Sequence, residues 1–304
     1  MNKKKVAIVS PYYNEQETIL DFLTEINRVI KEINLIYEFE IYLIDDGSFD
    51  KTFNELERFN TKLPLTVIKL RKNYGHQIAL SMGLRHLKNS DYVIALDSDL
   101  QDPPEYIKEI LLALDRGNDV VLTYRFQRED QLLKKVTAFL YYRLLRFFSR
   151  EKFVLDSGDY WGINLKALER LQEYQKNKMI FFRGQLVQLG LKNEIVQIKR
   201  HKRLKGKSKY GVKKMIRLAL SGFFCTTTFL SRVFLYKLFL LFLINFSLSL
   251  IFFALTGFIS FFFSTLFATV SSTLITFYFY KELRVEFKKQ ESKILFDRIQ
   301  LNDD

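Results

Sequence analysis

The sequence predicts an α/β protein with a doubly wound, mostly parallel sheet, followed by amphipathic helices and a two-helix transmembrane hairpin. Three observations carry this expectation. Short apolar runs alternate with helix-period segments as far as Leu122, the pattern of strand–helix–strand units. Polar and acidic clusters follow several of those runs, where open parallel sheets bind ligands. From Leu238 to Tyr280, 43 residues pass without Asp, Glu, Lys, Arg or His.

The elements follow in order. Val6–Val9, Glu40–Ile44, Leu65–Leu70, Tyr92–Leu96 and Asp119–Leu122 read as strands, bounded by polar turns and short enough to be buried. Helix-period segments lie between them at Glu15–Glu32, Lys51–Phe59, His76–Leu87 and Pro104–Leu114. The strand ends carry Ser10-Pro11-Tyr12-Tyr13-Asn14-Glu15, Asp45-Asp46-Gly47-Ser48, Arg71-Lys72-Asn73-Tyr74-Gly75-His76 and Asp97-Ser98-Asp99-Leu100-Gln101-Asp102. All are expected to converge on one crevice. Asp97 and Asp99 offer the hard oxygen ligands that suit Mg²⁺ or Mn²⁺ bridging a diphosphate. An Asp-x-Asp pair is unspecific alone and gains its meaning from these neighbours.

Pro-x-Tyr-Asn-Glu, Asp-Asp-Gly-Ser, Asn-Tyr-Gly-His-Gln and Asp-x-Asp-Leu-Gln-Asp-Pro-Pro-Glu, in this order, resemble the family 2 glycosyltransferases. The branch they resemble is the polyprenyl-phosphate sugar transferases, which includes dolichyl-phosphate mannose synthases and bacterial undecaprenyl-phosphate glycosyltransferases. The likeness runs from about Val6 to Tyr210. It implies a GT-A fold, a nucleotide-sugar donor and inversion at the anomeric centre. It further implies that Pro11, Tyr13 and Glu15 line the nucleotide pocket, that Asp46 contacts base or ribose, and that His76, Asp97 and Ser98 join the donor contacts. Asp97, Asp99 and Gln101 match the diphosphate and metal site, and Arg125 a basic residue near the phosphates. Asp159 matches a carboxylate acting near the acceptor, and Lys209 the basic residue of a Gly-x-Ser-Lys loop. One departure matters: where the family reads Gly-Asp-Phe-Arg-Leu, this chain reads Gly158-Asp159-Tyr160-Trp161-Gly162. The expected arginine is Trp161, so the cation near the acceptor phosphate is missing or comes from elsewhere.

Plainer readings stand beside these. Asp45 and Asp46 also suit a turn before the next helix, and Asp102-Pro103-Pro104-Glu105 suits a helix start. His76 reads equally as a phosphate contact and as a helix cap. His86 and His201 lack metal-ligand spacing. Cys225 is the only cysteine, which excludes an intrachain disulfide or a zinc cluster.

The uncharged run is long enough for two spans of ~20 residues each. Arg232 and Lys237 precede it, and Lys281, Arg284, Lys288 and Lys289 follow, so both termini are expected on the cytoplasmic side. The net charge of +13 is concentrated: residues 125–152 carry +5 and 192–217 carry +10. At 100° per residue, 130–150 places Leu133, Val136, Leu140, Leu144 and Phe147 on one face and Lys134, Lys135, Arg143, Arg146 and Arg150 on the other. Such a helix suits an anionic lipid surface better than nucleic acid. The expected divisions are a GT-A domain at 1–210, a juxtamembrane helix at 211–232, two spans within 233–280 and a charged tail at 281–304.

The expected chemistry is metal-dependent, inverting transfer of a sugar from a UDP- or GDP-sugar to a polyprenyl phosphate. Asp99, Arg125 and Asp159 are the expected catalytic residues, and Arg203, Lys207 and Lys209 would attract the acceptor phosphate. The oligomeric state stays open. A processive polysaccharide synthase would need a Gln-x-x-Arg-Trp motif and more spans. A nucleotidyltransferase would need a glycine-rich loop after the first strand. An inactive membrane scaffold would be expected to lose the metal carboxylates, and both are present.

Overall fold

The computed structural model describes residues 3–59, 63–87, 89–126, 157–175, 181–201 and 296–301, with isolated positions between 244 and 274. The expected helices at 130–150 and 211–232, most of the 233–280 run, and Arg203, Lys207 and Lys209 lie outside the described residues. Among the described residues no helix is long and apolar enough to cross a membrane.

The chain runs β1 (Lys4–Tyr12), α1 (Ile19–Ile33), β2 (Tyr37–Asp45), α2 (Thr52–Glu57), β3 (Leu65–Leu70), α3 (His76–Arg85) and β4 (Tyr92–Ala95). A 3₁₀ turn (Pro104–Tyr106) then leads into α4 (Ile107–Asp115) and β5 (Val120–Phe126). Beyond these come β6 (Ser157–Asn164), α5 (Leu165–Gln175), α6 (Phe182–Gln188), β7 (Asn193–Lys199) and β8 (Phe296–Leu301). The strands form one sheet in the order β7-β5-β6-β4-β1-β2-β3-β8. β6 and β8 are antiparallel to their neighbours, and the other pairings are parallel.

Strand alternation splits the core between the two faces of the sheet. Val6 and Ile8 of β1 pack with Phe22 and Ile26 of α1, Leu56 of α2 and Ile110 of α4. Ala7 and Val9 pack with Ala79 and Leu80 of α3, Leu171 of α5 and Phe182 of α6. A strand buried on both faces reads as a continuous apolar run, which is why β1 to β5 were recognisable.

Several boundaries differ from expectation. β1 extends to Tyr12, so Ser10 and Pro11 are strand residues, and β5 extends to Phe126, so Arg125 sits within a strand. α1 starts at Ile19, because the Glu15 carbonyl accepts from the backbone N–H of Thr18 at 3.0 Å and of Ile19 at 2.9 Å, closing a separate turn first. The sheet also takes in β8, so it reaches past residue 210 into the segment expected to form only a charged tail.

The loop after β2 is held by a close backbone approach. Gly47 has φ +73, and a Cβ there would lie 2.3 Å from the backbone carbonyl carbon of Lys72. Gly75 has φ +101 with open space around it. Gly75→Ala is expected to cost about 1–2 kcal/mol for its left-handed backbone. Gly47→Ala costs more, because the 72–73 backbone must also move, and its melting temperature falls below that of Gly75→Ala.

Candidate active site

The parallel strands all end at one edge, and the acidic and basic side chains gather there. Asp97 and Asp99 follow β4 in a loop turned by Leu100, whose φ of +56 is unusual for a residue with a branched side chain. Leu100 is buried in the core, and that packing holds the strained turn. Asp99 Oδ1 accepts the backbone N–H of Gln101 at 3.1 Å. Ser98 is buried and donates to the Pro11 carbonyl at 3.3 Å, tying the ends of β4 and β1 together.

Asp102 is fully buried beneath this loop. It caps no helix: both its oxygens accept from Arg125, one of these bonds being Nε to Oδ1 at 3.1 Å. Arg200, just after β7, places its Nε 3.7 Å from Asp102 Oδ1 and donates to the Gln101 amide oxygen at 2.8 Å. The Arg125 guanidinium lies 4.0 Å from Asp97. Burial works against its charge, but the Asp102 carboxylate more than offsets that and raises its pKa. Arg200 is pushed the other way, by burial and then by the positive charge of Arg125.

Asp159, on β6, faces the second layer of helices. Its Oδ1 accepts from Arg183 Nε at 3.0 Å and from Gln77 Nε2 at 3.2 Å, and its Oδ2 accepts from the same guanidinium at 2.7 Å. Burial opposes ionisation of Asp159, yet the Arg183 charge and hydrogen bonds hold its carboxyl well below the usual range. His76 links the two halves of the site: Nε2 is 3.5 Å from Asp97 and 3.6 Å from Asp159. That nitrogen is buried and hydrogen-bonded to neither. Gly75, not His76, is the N-cap of α3.

A cation, Arg183, thus lies beside Asp159 although the expected arginine is Trp161. Trp161 is fully buried and packs against Phe182, with ring centroids 5.6 Å apart. Gln77 accepts the Phe182 backbone N–H at 3.1 Å. These two contacts anchor the start of α6, and the next residue is Arg183.

The other residues expected to contact the donor also make contacts within the protein. Asp46 accepts from the backbone N–H of Tyr74 at 2.7 Å and of Gly75 at 2.9 Å, clamping the loop after β3. Asp45 accepts the Ser48 backbone N–H at 2.7 Å, the turn role read beside the functional one. Glu15 accepts the Thr18 hydroxyl at 2.7 Å. Tyr13 meets Phe49 edge-on at 6.0 Å. Sequence reading missed Arg183, Gln77 and Arg200. The only local signal for Arg183 is a lone cation after three apolar residues, Ile180-Phe181-Phe182.

The donor set fits a hard divalent ion of the Mg²⁺ or Mn²⁺ type. Asp97 is a quarter exposed, and beside Asp99 it presents carboxylate oxygen to the crevice. Among the described residues no cluster of three or more His, Cys, Asp or Glu forms a cage. Such ions are commonly held by one or two carboxylates plus substrate phosphates. The Gln101 side-chain oxygen is already engaged by Arg200.

The profile of the glycosyl transferase family 2 matches residues 7–172. A prophage bactoprenol glucosyl transferase homolog from Escherichia coli (strain K12) is 33% identical over 234 residues, covering 76% of this chain and 75% of that one. The uncharacterized glycosyltransferase YkcC of Bacillus subtilis (strain 168) is 33% identical over 218 residues, 71% of this chain and 66% of the relative. The chain thus spans just under two thirds of that relative's length. Glucosyl-3-phosphoglycerate synthase from Mycobacterium tuberculosis, solved with Mn²⁺, uridine diphosphate and phosphoglyceric acid, matches with a TM-score of 0.51 at 17% identity. It covers 71% of this chain and 75% of that one, and the likeness shows the fold. The matched profile takes in Asp46, His76, Asp97, Asp99, Arg125 and Asp159, and the chain belongs to glycosyl transferase family 2, with a GT-A-like sheet.

Proposed function

We propose that this glycosyltransferase moves one sugar from a nucleotide-sugar to a membrane polyprenyl phosphate, with inversion. The observation that carries this reading is the placement of Asp97 and Asp159 on either side of His76, within 3.6 Å of the same nitrogen. A donor-side carboxylate and an acceptor-side carboxylate thus share one crevice. Support for the acceptor comes from relatives named bactoprenol glucosyl transferases, which also make UDP-glucose the first donor to test. The solved neighbour that holds Mn²⁺ with uridine diphosphate supports a divalent metal.

The donor diphosphate would lie over Asp97 and Asp99 at the end of β4. Bound there, a Mg²⁺ or Mn²⁺ ion would supply Lewis-acid stabilisation to the leaving diphosphate. Arg125 is turned towards Asp102 and lies 4.0 Å from Asp97, so its positive field steadies the carboxylates around the diphosphate. The acceptor phosphate attacks the anomeric carbon from the opposite side in a single displacement. A phosphate monoester is already largely ionised near neutral pH, so no strong general base is required. Asp159, held ionised by Arg183, faces positive charge as it develops at the anomeric carbon. Arg203, Lys207 and Lys209 are proposed to gather the acceptor phosphate, in a catalytic domain on the cytoplasmic side of the membrane.

Transfer of radiolabel from UDP-glucose into undecaprenyl phosphate tests the reaction. EDTA, or Asp99→Ala, is expected to lower it by roughly 100-fold or more. Label from no UDP- or GDP-sugar entering the lipid would overturn the reading.

The pH profile tests Asp159. A carboxyl with a depressed pKa contributes stability above its unfolded value near 4, lost as pH falls towards the folded value. Wild-type kcat/KM is therefore expected to show no acid limb from Asp159 above about pH 4. In Arg183→Gln the largest offset to the burial cost is lost, Asp159 titrates higher and an acid limb is expected to move towards the measured range. Arg183→Lys lies between the two.

The buried pair is tested by a cycle. Asp102→Leu alone is expected to cost about 3–5 kcal/mol, because it leaves guanidinium charge buried. Adding Arg125→Met recovers most of that stability, measured by urea unfolding, without recovering transfer.

A further inference from the structure

Gln77 joins three elements that meet beside Asp159. It lies in the first turn of α3, one residue after His76. Its Nε2 donates to Asp159 Oδ1 on β6 at 3.2 Å, and its Oε1 accepts the backbone N–H of Phe182 at the start of α6 at 3.1 Å. An ionised carboxylate only accepts and a backbone N–H only donates, so one orientation of the amide serves both. The two partners lie 82 and 105 residues further along the chain.

The mount for this amide is rigid. Asp46 clamps the backbone N–H groups of Tyr74 and Gly75 just ahead of α3. Farther along the helix, a Cβ added to Gly83 would lie 2.5 Å from the Ile44 side chain and 2.8 Å from that of Val9. The helix therefore sits hard against β1 and β2. A side chain carried on such a support can set the position of the groups it bonds.

The bonds at Asp159 are unequal. Oδ1 accepts from Gln77 Nε2 and from Arg183 Nε, which occupies both of its lone pairs. Oδ2 accepts from Arg183 at 2.7 Å and has no second donor among the described residues. His76 Nε2 lies 3.6 Å from Oδ2 and 3.5 Å from Asp97, bonded to neither. Oδ2 is thus the oxygen turned towards the donor-side carboxylate, with a lone pair left for substrate.

We infer that Gln77 is a positioning residue: its Nε2 holds Asp159 so that Oδ2 faces the crevice, and its Oε1 fixes the start of α6, which brings Arg183 to the same carboxylate. This rests on the proposed transfer, in which Oδ2 meets positive charge developing at the anomeric carbon. Gln77 itself touches no substrate. It keeps the Asp159–Arg183 pair in one geometry, and misplacing such a group by ~1 Å can cost about 100-fold in rate.

Two variants separate the two bonds. Gln77→Met keeps the length of the side chain and loses both. Gln77→Glu keeps an acceptor for the Phe182 N–H but sets a carboxylate, not a donor, against Asp159. Trp161 is the only tryptophan and packs on Phe182, so its fluorescence reports the start of α6 without any substrate. In the full chain, Gln77→Met is expected to shift Trp161 emission and to lower kcat about 10- to 100-fold, with KM for UDP-glucose unchanged. Gln77→Glu is expected to lower kcat at least as much while keeping wild-type emission. A wild-type kcat in both variants, or a rise in donor KM alone, would overturn the positioning of Asp159. Unshifted emission in Gln77→Met would overturn the anchoring of α6. Should Gln77→Met lose its fold, the isosteric Gln77→Glu decides alone. Slow hydrolysis of UDP-glucose to water is followed beside transfer to undecaprenyl phosphate. A wild-type chain that labels no lipid, but whose hydrolysis falls in both variants, would remove the proposed acceptor and leave the role of Gln77 standing.

Discussion

Carboxylates packed into a partly dry crevice repel one another, and the site holds together because guanidinium groups lie between them. Like charges a few ångströms apart in a low-dielectric setting would otherwise drive protonation. Here Asp102 is met by Arg125 and Arg200, and Asp159 by Arg183. Asp97 lies between Arg125 and His76. Each cation reaches across two secondary-structure elements, so charge balance and geometry are one constraint. Removing one partner would uncover another charge as well as a contact. Arg125 and Arg183 are already matched to protein carboxylates, so in the proposed reaction the counter-charge for a diphosphate would have to come from elsewhere, as from a metal at Asp97 and Asp99.

The first five strands were legible because parallel strands buried on both faces leave apolar runs. β6 carries Gly158, Asp159 and Gly162 within it, and β7 alternates apolar and polar residues as Asn193-Glu194-Ile195-Val196-Gln197-Ile198-Lys199. Neither leaves such a run. A strand–helix alternation also has no place for an antiparallel strand inserted between β4 and β5; only tertiary pairing puts it there. Asp97 and Asp99 were legible because they follow β4 directly, whereas Asp159 sits inside β6 and, like Arg125, was marked only by the family resemblance. The cations Arg183 and Arg200 were not legible. Arg183 meets Asp159 across 24 residues, and Arg200 meets Gln101 across 99, and no local spacing encodes either meeting.

The exchange of an expected arginine for Trp161 follows from this packing. Asp159 and Trp161 are two residues apart on β6, so they share a face. Deep in that face an indole meets Phe182 and gains the burial of a large aromatic surface. An arginine there would need a buried carboxylate of its own. The cation is instead carried one residue beyond Phe182, where Arg183 reaches the shallower Asp159. The apolar contact sets where α6 begins, and the charge follows from that.

Two nitrogens in this ring of charges lack hydrogen bonds among the described residues. His76 Nε2 and Arg200 Nε are both buried, one beside Asp97 and Asp159 and the other 3.7 Å from Asp102. An unsatisfied buried polar group costs about 1–3 kcal/mol. At the end of a parallel sheet they are polar groups already placed and desolvated, a cost borne in the resting protein. Phosphate oxygens entering the crevice are the kind of acceptor that would recover it. Stability given up at the strand ends is thus held in the same groups that would orient an anionic substrate, which ties the weakest polar satisfaction in the described site to its chemistry.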